Sequence, residues 1–171
     1  MISVPTEFFI KEPYPEIKGA TNDSQTVMYL QNIYSSSHSE STAILTYVYQ
    51  HLITSKFNEQ LSNVFIEIGK VEMRHLELIG EAIIDFGGNP IFADSQGSFL
   101  SGKWVDYSTN IVQMLENDIK GEVEAAATYL KTADAVKNES LSKLLRRIAK
   151  DEELHAEILT SLLKQVRFWI G

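Results

Sequence analysis

Four glutamates stand where helices should carry core residues, and two of them are followed three residues later by histidine, as Glu72-Met73-Arg74-His75 and Glu152-Glu153-Leu154-His155. A spacing of three puts glutamate and imidazole on one helix face. The surrounding residues make that face an inward one. From about Asn58 to Phe86 the stripe reads Leu61, Phe65, Ile68, Glu72, His75, Ile79 and Ile83. From about Asn138 it reads Leu141, Leu145, Ile148, Glu152, His155, Leu159, Leu162 and Trp169. Two more segments of the same period carry one glutamate each. Thr26 to Thr54 has Ile33, Ser37, Glu40, Ile44, Tyr47 and His51; the other, starting near Ser108, has Ile111, Leu115, Asp118, Glu122, Ala126, Tyr129 and Ala133. A buried carboxylate without a partner costs several kcal/mol, so a chain that buries four must compensate them.

The connections predict an all-α fold of two antiparallel helical hairpins. The first and second segments, and the third and fourth, are separated by a few residues each, which makes them antiparallel neighbours. About 20 residues from Gly87 to Tyr107 separate the hairpins, enough at about 3.3 Å per residue to return along a helix. Depth in this four-helix bundle is then fixed by sequence. Glu40 and Glu72 have their midpoint at Lys56 and Glu122 and Glu152 have theirs at Lys137, both at the hairpin turns, so all four carboxylates converge near mid-bundle. Residues 1–20 hold Pro5, Pro13 and Pro15 and no helical period, and read as an extended arm whose Phe8, Phe9 and Tyr14 pack on the body or on a second subunit. Residues 21–171 form the bundle.

Composition narrows the chemistry. There is no cysteine, which excludes disulfides, thiolate catalysis and iron–sulfur clusters and leaves oxygen and nitrogen to hold any metal. The net charge of −8 disfavours a nucleic-acid partner. No stretch resembles a secretion signal or a membrane span, so a cytoplasmic protein is expected. Glu40, Glu72, His75, Glu122, Glu152 and His155 therefore form a candidate site for two metal ions, in which carboxylates bridge and offset the cationic charge while imidazoles bind at the ends. Iron and manganese both accept this donor set. Six protein ligands leave positions open to dioxygen or peroxide. Tyr47 and Tyr129, each seven residues beyond a ligand, are candidates to hydrogen-bond a carboxylate or supply an electron, and Asp151 to accept the second ring N–H of a ligand histidine. His38 and His51 read as structural, and Lys143, Arg146, Arg147 and Lys150 as a solvated face.

This pattern resembles the ferritin-like family of di-iron and di-manganese carboxylate proteins over about residues 26–165, most closely the rubrerythrin core and its manganese-catalase relatives. The resemblance includes an internal repeat, Glu40 and Tyr47 returning as Glu122 and Tyr129. It implies that Glu40 with His75, and Glu122 with His155, are terminal ligands, and that Glu72 and Glu152 bridge. Rubrerythrins carry a further ligand glutamate where this chain has Ala125, and usually a four-cysteine rubredoxin module that this chain lacks. The implied function is a redox protein, connected with oxidative stress, that reacts with peroxide or dioxygen, in catalase fashion or with an external electron donor. The alternatives are a ferroxidase that stores iron and a bundle that binds metal without turnover. A homo-oligomer, a dimer or larger, is expected.

Overall fold

The computed structural model describes residues 3–170, with side chains to Phe168. Five helices carry the fold: α1 (Ser24–Tyr34), α2 (Glu40–Thr54), α3 (Glu59–Asp85), α4 (Ile111–Ala135) and α5 (Glu139–Ile170). The segment expected as one helix from Thr26 to Thr54 is thus two. Its break is the run Ser35-Ser36-Ser37-His38-Ser39. Hydroxyls there take the carbonyls a continuous helix would use: Ser41 Oγ donates to Tyr34 O at 2.6 Å, Thr42 Oγ1 to Ser36 O at 2.6 Å and Ser39 Oγ to Ser36 O at 2.8 Å. Ser37, expected on the inward stripe, is exposed as a result. The break also makes Glu40 the first residue of α2, where unpaired backbone N–H groups favour a carboxylate.

Asparagines begin the other long helices. Asn58 Oδ1 accepts from Leu61 N at 3.0 Å, Asn110 Oδ1 from Gln113 N at 3.1 Å and Asn138 Oδ1 from Leu141 N at 2.9 Å. α3 ends where Gly87 adopts φ +84°, a conformation that side chains resist. α2 packs on α3 and α4 on α5 as two hairpins. Gly69 of α3 permits close approach, since a Cβ there would stand 3.3 Å from the Tyr47 Cβ. The strap between hairpins starts beside α1, where Gln31 Nε2 donates to Ile91 O and Ala93 O at 2.6 Å each. It then follows α2, where Asp106 N donates to Thr46 Oγ1 at 3.4 Å. The strap therefore crosses the bundle lengthwise, and α4 starts at the end opposite to that where α3 stopped.

Two apolar clusters fill the interior. One gathers Leu30, Ile79, Ile83, Leu141, Leu145 and Ile148; the other gathers Leu61, Phe65, Ile68, Leu115, Leu159 and Leu162. On α3 and α5 the Glu-x-x-His segments fall between these two sets, so a polar layer separates two dry ones. The Trp169 side chain lies outside the described residues. No helix among the described residues is long and apolar enough to cross a membrane.

The arm runs antiparallel along α5. Ser3 N donates to Gln165 Oε1 at 2.7 Å, Ile10 N to Asp151 Oδ1 at 2.7 Å and Lys18 N to Ser140 Oγ at 2.8 Å. Arg147 anchors its middle, donating from Nε to Glu12 O at 2.8 Å and from a second nitrogen to Ile10 O. Expected on a solvated face, Arg147 is only 4% exposed, because the arm covers it and Asp151 pairs with it at 2.8 Å.

Candidate metal centre

All six residues singled out by periodicity meet in the polar layer, and each is at most 5% exposed. They form two overlapping groups. Glu40, Glu72, His75 and Glu152 make one, and Glu72, Glu122, Glu152 and His155 the other, each with one ligand atom per residue within 4.8 Å of the rest. Glu72 and Glu152 belong to both groups. Both histidines turn Nδ1 inward. His75 Nδ1 lies 3.0 Å from Glu72 Oε2 and 3.0 Å from Glu152 Oε1, and His155 Nδ1 lies 2.8 Å from Glu72 Oε1 and 3.5 Å from Glu122 Oε2.

The hydrogen bonds show what these atoms lack. Glu72 Oε1 and Glu152 Oε1 face imidazole Nδ1 atoms at 2.8 and 3.0 Å, whereas Glu40 Oε2 comes no nearer than 3.9 Å to His75 Nδ1 and has no hydrogen-bond partner. Four buried carboxylates converging on two imidazoles, with one inward oxygen unpaired, form a donor set that fits divalent cations. The outer atoms are satisfied. Tyr47 OH donates to Glu122 Oε1 and Tyr129 OH to Glu40 Oε1, so each tyrosine of the internal repeat holds the carboxylate of the opposite hairpin. His75 Nε2 donates to Asp151 Oδ2 at 3.1 Å, and His155 Nε2 to the Phe8 carbonyl at 2.8 Å.

Charge in the metal-free centre follows from these contacts. Burial favours neutral rings, but the facing carboxylates outweigh it and raise both His75 and His155 well above the usual imidazole range. Glu72 and Glu152 are also pushed up by burial and by neighbouring carboxylates, yet the imidazoliums bring them below the ordinary carboxyl value. Glu40 is raised well above it by burial and by the charges of Glu72 and Glu152. Glu122 is raised to about 7, mainly by burial, against the pull of His155. The contacts thus favour charged imidazoles beside ionised Glu72 and Glu152, and favour the protonated form of Glu40 and Glu122. The tyrosines stay protonated, raised by burial and by the acids they serve.

A cavity of about 610 Å³ opens between α2 and α4 and reaches this centre. Glu40, Glu72, Glu122, Glu152, Tyr47 and Tyr129 line it, as does Ala125, where a glutamate would narrow the passage. His38 and Ser37 stand at its wall as well, whereas His51 binds Ser62 across the first hairpin, its Nδ1 2.8 Å from Ser62 Oγ.

Three contributors were not assigned from sequence. Tyr14 donates to Asp151 Oδ2 at 2.7 Å and its hydroxyl stands 3.4 Å from His75 Nε2. The Phe8 carbonyl is backbone and has no sequence signature. Asp118, though on the α4 stripe, was given no role; it lines the cavity, accepts from Gln50 Nε2 at 2.9 Å and is raised well above the usual aspartate range by burial. A signal did exist for Arg147, which sits one turn before Asp151 on the inward side of α5.

Comparison with known proteins bears on the fold. The chain superimposes on a manganese catalase from Anabaena with a TM-score of 0.82 at 21% identity, over 94% of this chain and 81% of that one. A bacterioferritin from Rhodobacter capsulatus gives 0.73 at 21% identity, over 85% and 87%, and a dodecameric thioferritin from Bacteroides fragilis gives 0.69 at 19%, over 86% and 90%. At these identities the likeness is one of fold, and it is that of ferritin-like bundles. No curated protein matches the sequence. The rubrerythrin family pattern, however, matches residues 31–163, which include all six centre residues, and the chain belongs to the rubrerythrin family.

Proposed function

We propose that this protein is a dimetal-carboxylate redox enzyme that removes hydrogen peroxide, with Glu40, Glu72, His75, Glu122, Glu152 and His155 holding two iron or manganese ions. The observation that carries the reading is the pair of overlapping, fully buried groups of three carboxylates and one imidazole at the end of an open cavity. A dinuclear centre held here would give two electrons to one peroxide and take two back from a second, or from an external donor. The chain's own residues do the rest. Glu72 and Glu152, present in both groups, would hold both ions, and Glu40 and Glu122 one ion each, a reading supported by the overlap of the two groups. The hydroxyls of Tyr47 and Tyr129 fix the terminal carboxylates and hold protons beside them. Asp118, whose carboxyl burial raises well above the usual aspartate range, stands in the cavity wall as an acid for an entering oxidant.

Disproportionation of peroxide needs no separate reductant. Assembly into a homo-oligomer is part of the proposal; the thioferritin relative is described as dodecameric.

Metal content of protein purified from cells supplied with iron and manganese, measured beside Glu72→Ala/Glu152→Ala, tests the reading together with oxygen release from peroxide. About two manganese per chain, absent from the variant and accompanied by oxygen release, is the expected result for a di-metal bundle of this kind. About two iron with peroxide consumed only when a donor is added makes it a peroxidase. Iron far above two per chain makes it a storage protein and refutes the peroxide assignment. No metal above background refutes the centre itself.

A further inference from the structure

The two ends of the centre are matched in their ligand types and differ in what stands behind each histidine. Each group offers three carboxylates and one histidine Nδ1, and each terminal glutamate accepts from one tyrosine. The repeat breaks in the residue before each shared glutamate. On α5 it is Asp151, whose Oδ2 accepts from His75 Nε2 at 3.1 Å across the bundle. On α3 the corresponding residue is Val71, buried and unable to accept anything. His155 Nε2 therefore donates to a neutral acceptor, the Phe8 carbonyl of the arm.

A carboxylate behind a ligand imidazole draws the ring proton toward itself and makes the inner nitrogen a stronger donor than a carbonyl does. Asp151 is fixed in its ionised form. It accepts from His75 Nε2 at 3.1 Å, Ile10 N at 2.7 Å and Tyr14 OH at 2.7 Å and pairs with Arg147 at 2.8 Å, a set of donors that only a carboxylate satisfies. We infer that the two metal positions are unequal, the Glu40/His75 position binding its ion first and more tightly because Asp151 backs His75 while only the arm's Phe8 carbonyl backs His155. This rests on the dimetal reading above and adds an order of filling to it.

Losing a partner behind a ligand histidine lowers metal affinity by about 10- to 100-fold, and that sets the separation expected between the two steps. The test is stepwise addition of Mn²⁺ to the metal-free full chain, followed by calorimetry and by electron paramagnetic resonance. The expected result is two steps separated by more than two identical sites would show, with an isolated-ion spectrum at one equivalent that gives way to a coupled pair at two. His155→Ala should keep the tight step and His75→Ala only the weak one, while Asp151→Asn brings the steps together. A single cooperative two-ion step, equal steps, or tight binding retained in His75→Ala would overturn the inequality and leave the dimetal centre standing. Absence of any binding would overturn both. Because the wild-type isotherm and the two histidine variants decide the matter, the result does not depend on Asp151→Asn folding well.

Discussion

Replacing Glu122 by glutamine should make the metal-free protein more stable and the metal-bound protein less so. Burial raises this carboxyl from 4.5 to about 7 in the folded chain. At about 1.4 kcal/mol per pH unit, ionised Glu122 costs the fold about 3 kcal/mol. The sign follows from the raised value. The folded chain holds the proton more tightly than the unfolded one, so the cost is absent below pH 4.5, grows as pH rises and is complete above about 7. Glutamine resembles the protonated acid and its carbonyl still accepts from Tyr47 OH, so the variant escapes the cost. Against this stands the loss of the 3.5 Å contact between Glu122 Oε2 and His155 Nδ1. In a chain of this size about 3 kcal/mol corresponds to about 6–12 °C in Tm. Differential scanning calorimetry of metal-free Glu122→Gln should therefore show a rise of several degrees at pH 8 that shrinks to about 1 kcal/mol or less at pH 5. With saturating Mn²⁺ the order should invert, because binding stabilises only a chain that keeps its ligands. A metal-free variant that melts below wild type at pH 8, or a difference that is the same at both pH values, would refute the reasoning.

Metal affinity should rise with pH through the region near 7, since His75, His155, Glu40 and Glu122 all give up protons that the metal-free centre holds; calorimetry in buffers of different ionisation enthalpy should show net proton release. Tyr47→Phe and Tyr129→Phe should have matched effects, about 1.5–3 kcal/mol each on metal-bound stability, because each removes one hydroxyl from one terminal carboxylate. Arg147→Met should free the arm, costing about 3–5 kcal/mol by leaving Asp151 without its cation, and speeding hydrogen exchange at the Ile10 amide while that of the α3 core stays slow.

The sequence displayed the centre more completely than its surroundings, for a physical reason. Glutamate and histidine on apolar stripes are costly, so period and turn position suffice to bring Glu40, Glu72, His75, Glu122, Glu152 and His155 to one depth. The crossed tyrosine bonds were half legible: seven residues' spacing put Tyr47 and Tyr129 on the inward faces, but which carboxylate each serves depends on how the hairpins dock. The break at Ser35–Ser39 was hidden because Ile33 and Glu40 stay in register across it. Only the hydroxyl-to-carbonyl bonds of Ser39, Ser41 and Thr42 show that the backbone leaves the helix. Arg147 was misread because a basic residue on α5 is ordinarily solvated, and what covers it is an arm without periodicity.

The arm's path also bears on when the centre is complete. Phe8 meets His155, and Ile10 meets Asp151, across 147 and 141 residues of sequence. During synthesis the arm leaves the ribosome with no surface to lie on, and the first hairpin must wait with Glu40, Glu72 and His75 facing a partner not yet made. Contacts of such long separation form late, after the loop entropy of the whole chain has been overcome. A bundle that closes in this order would take its ions only once finished, through the cavity between α2 and α4 that reaches the centre.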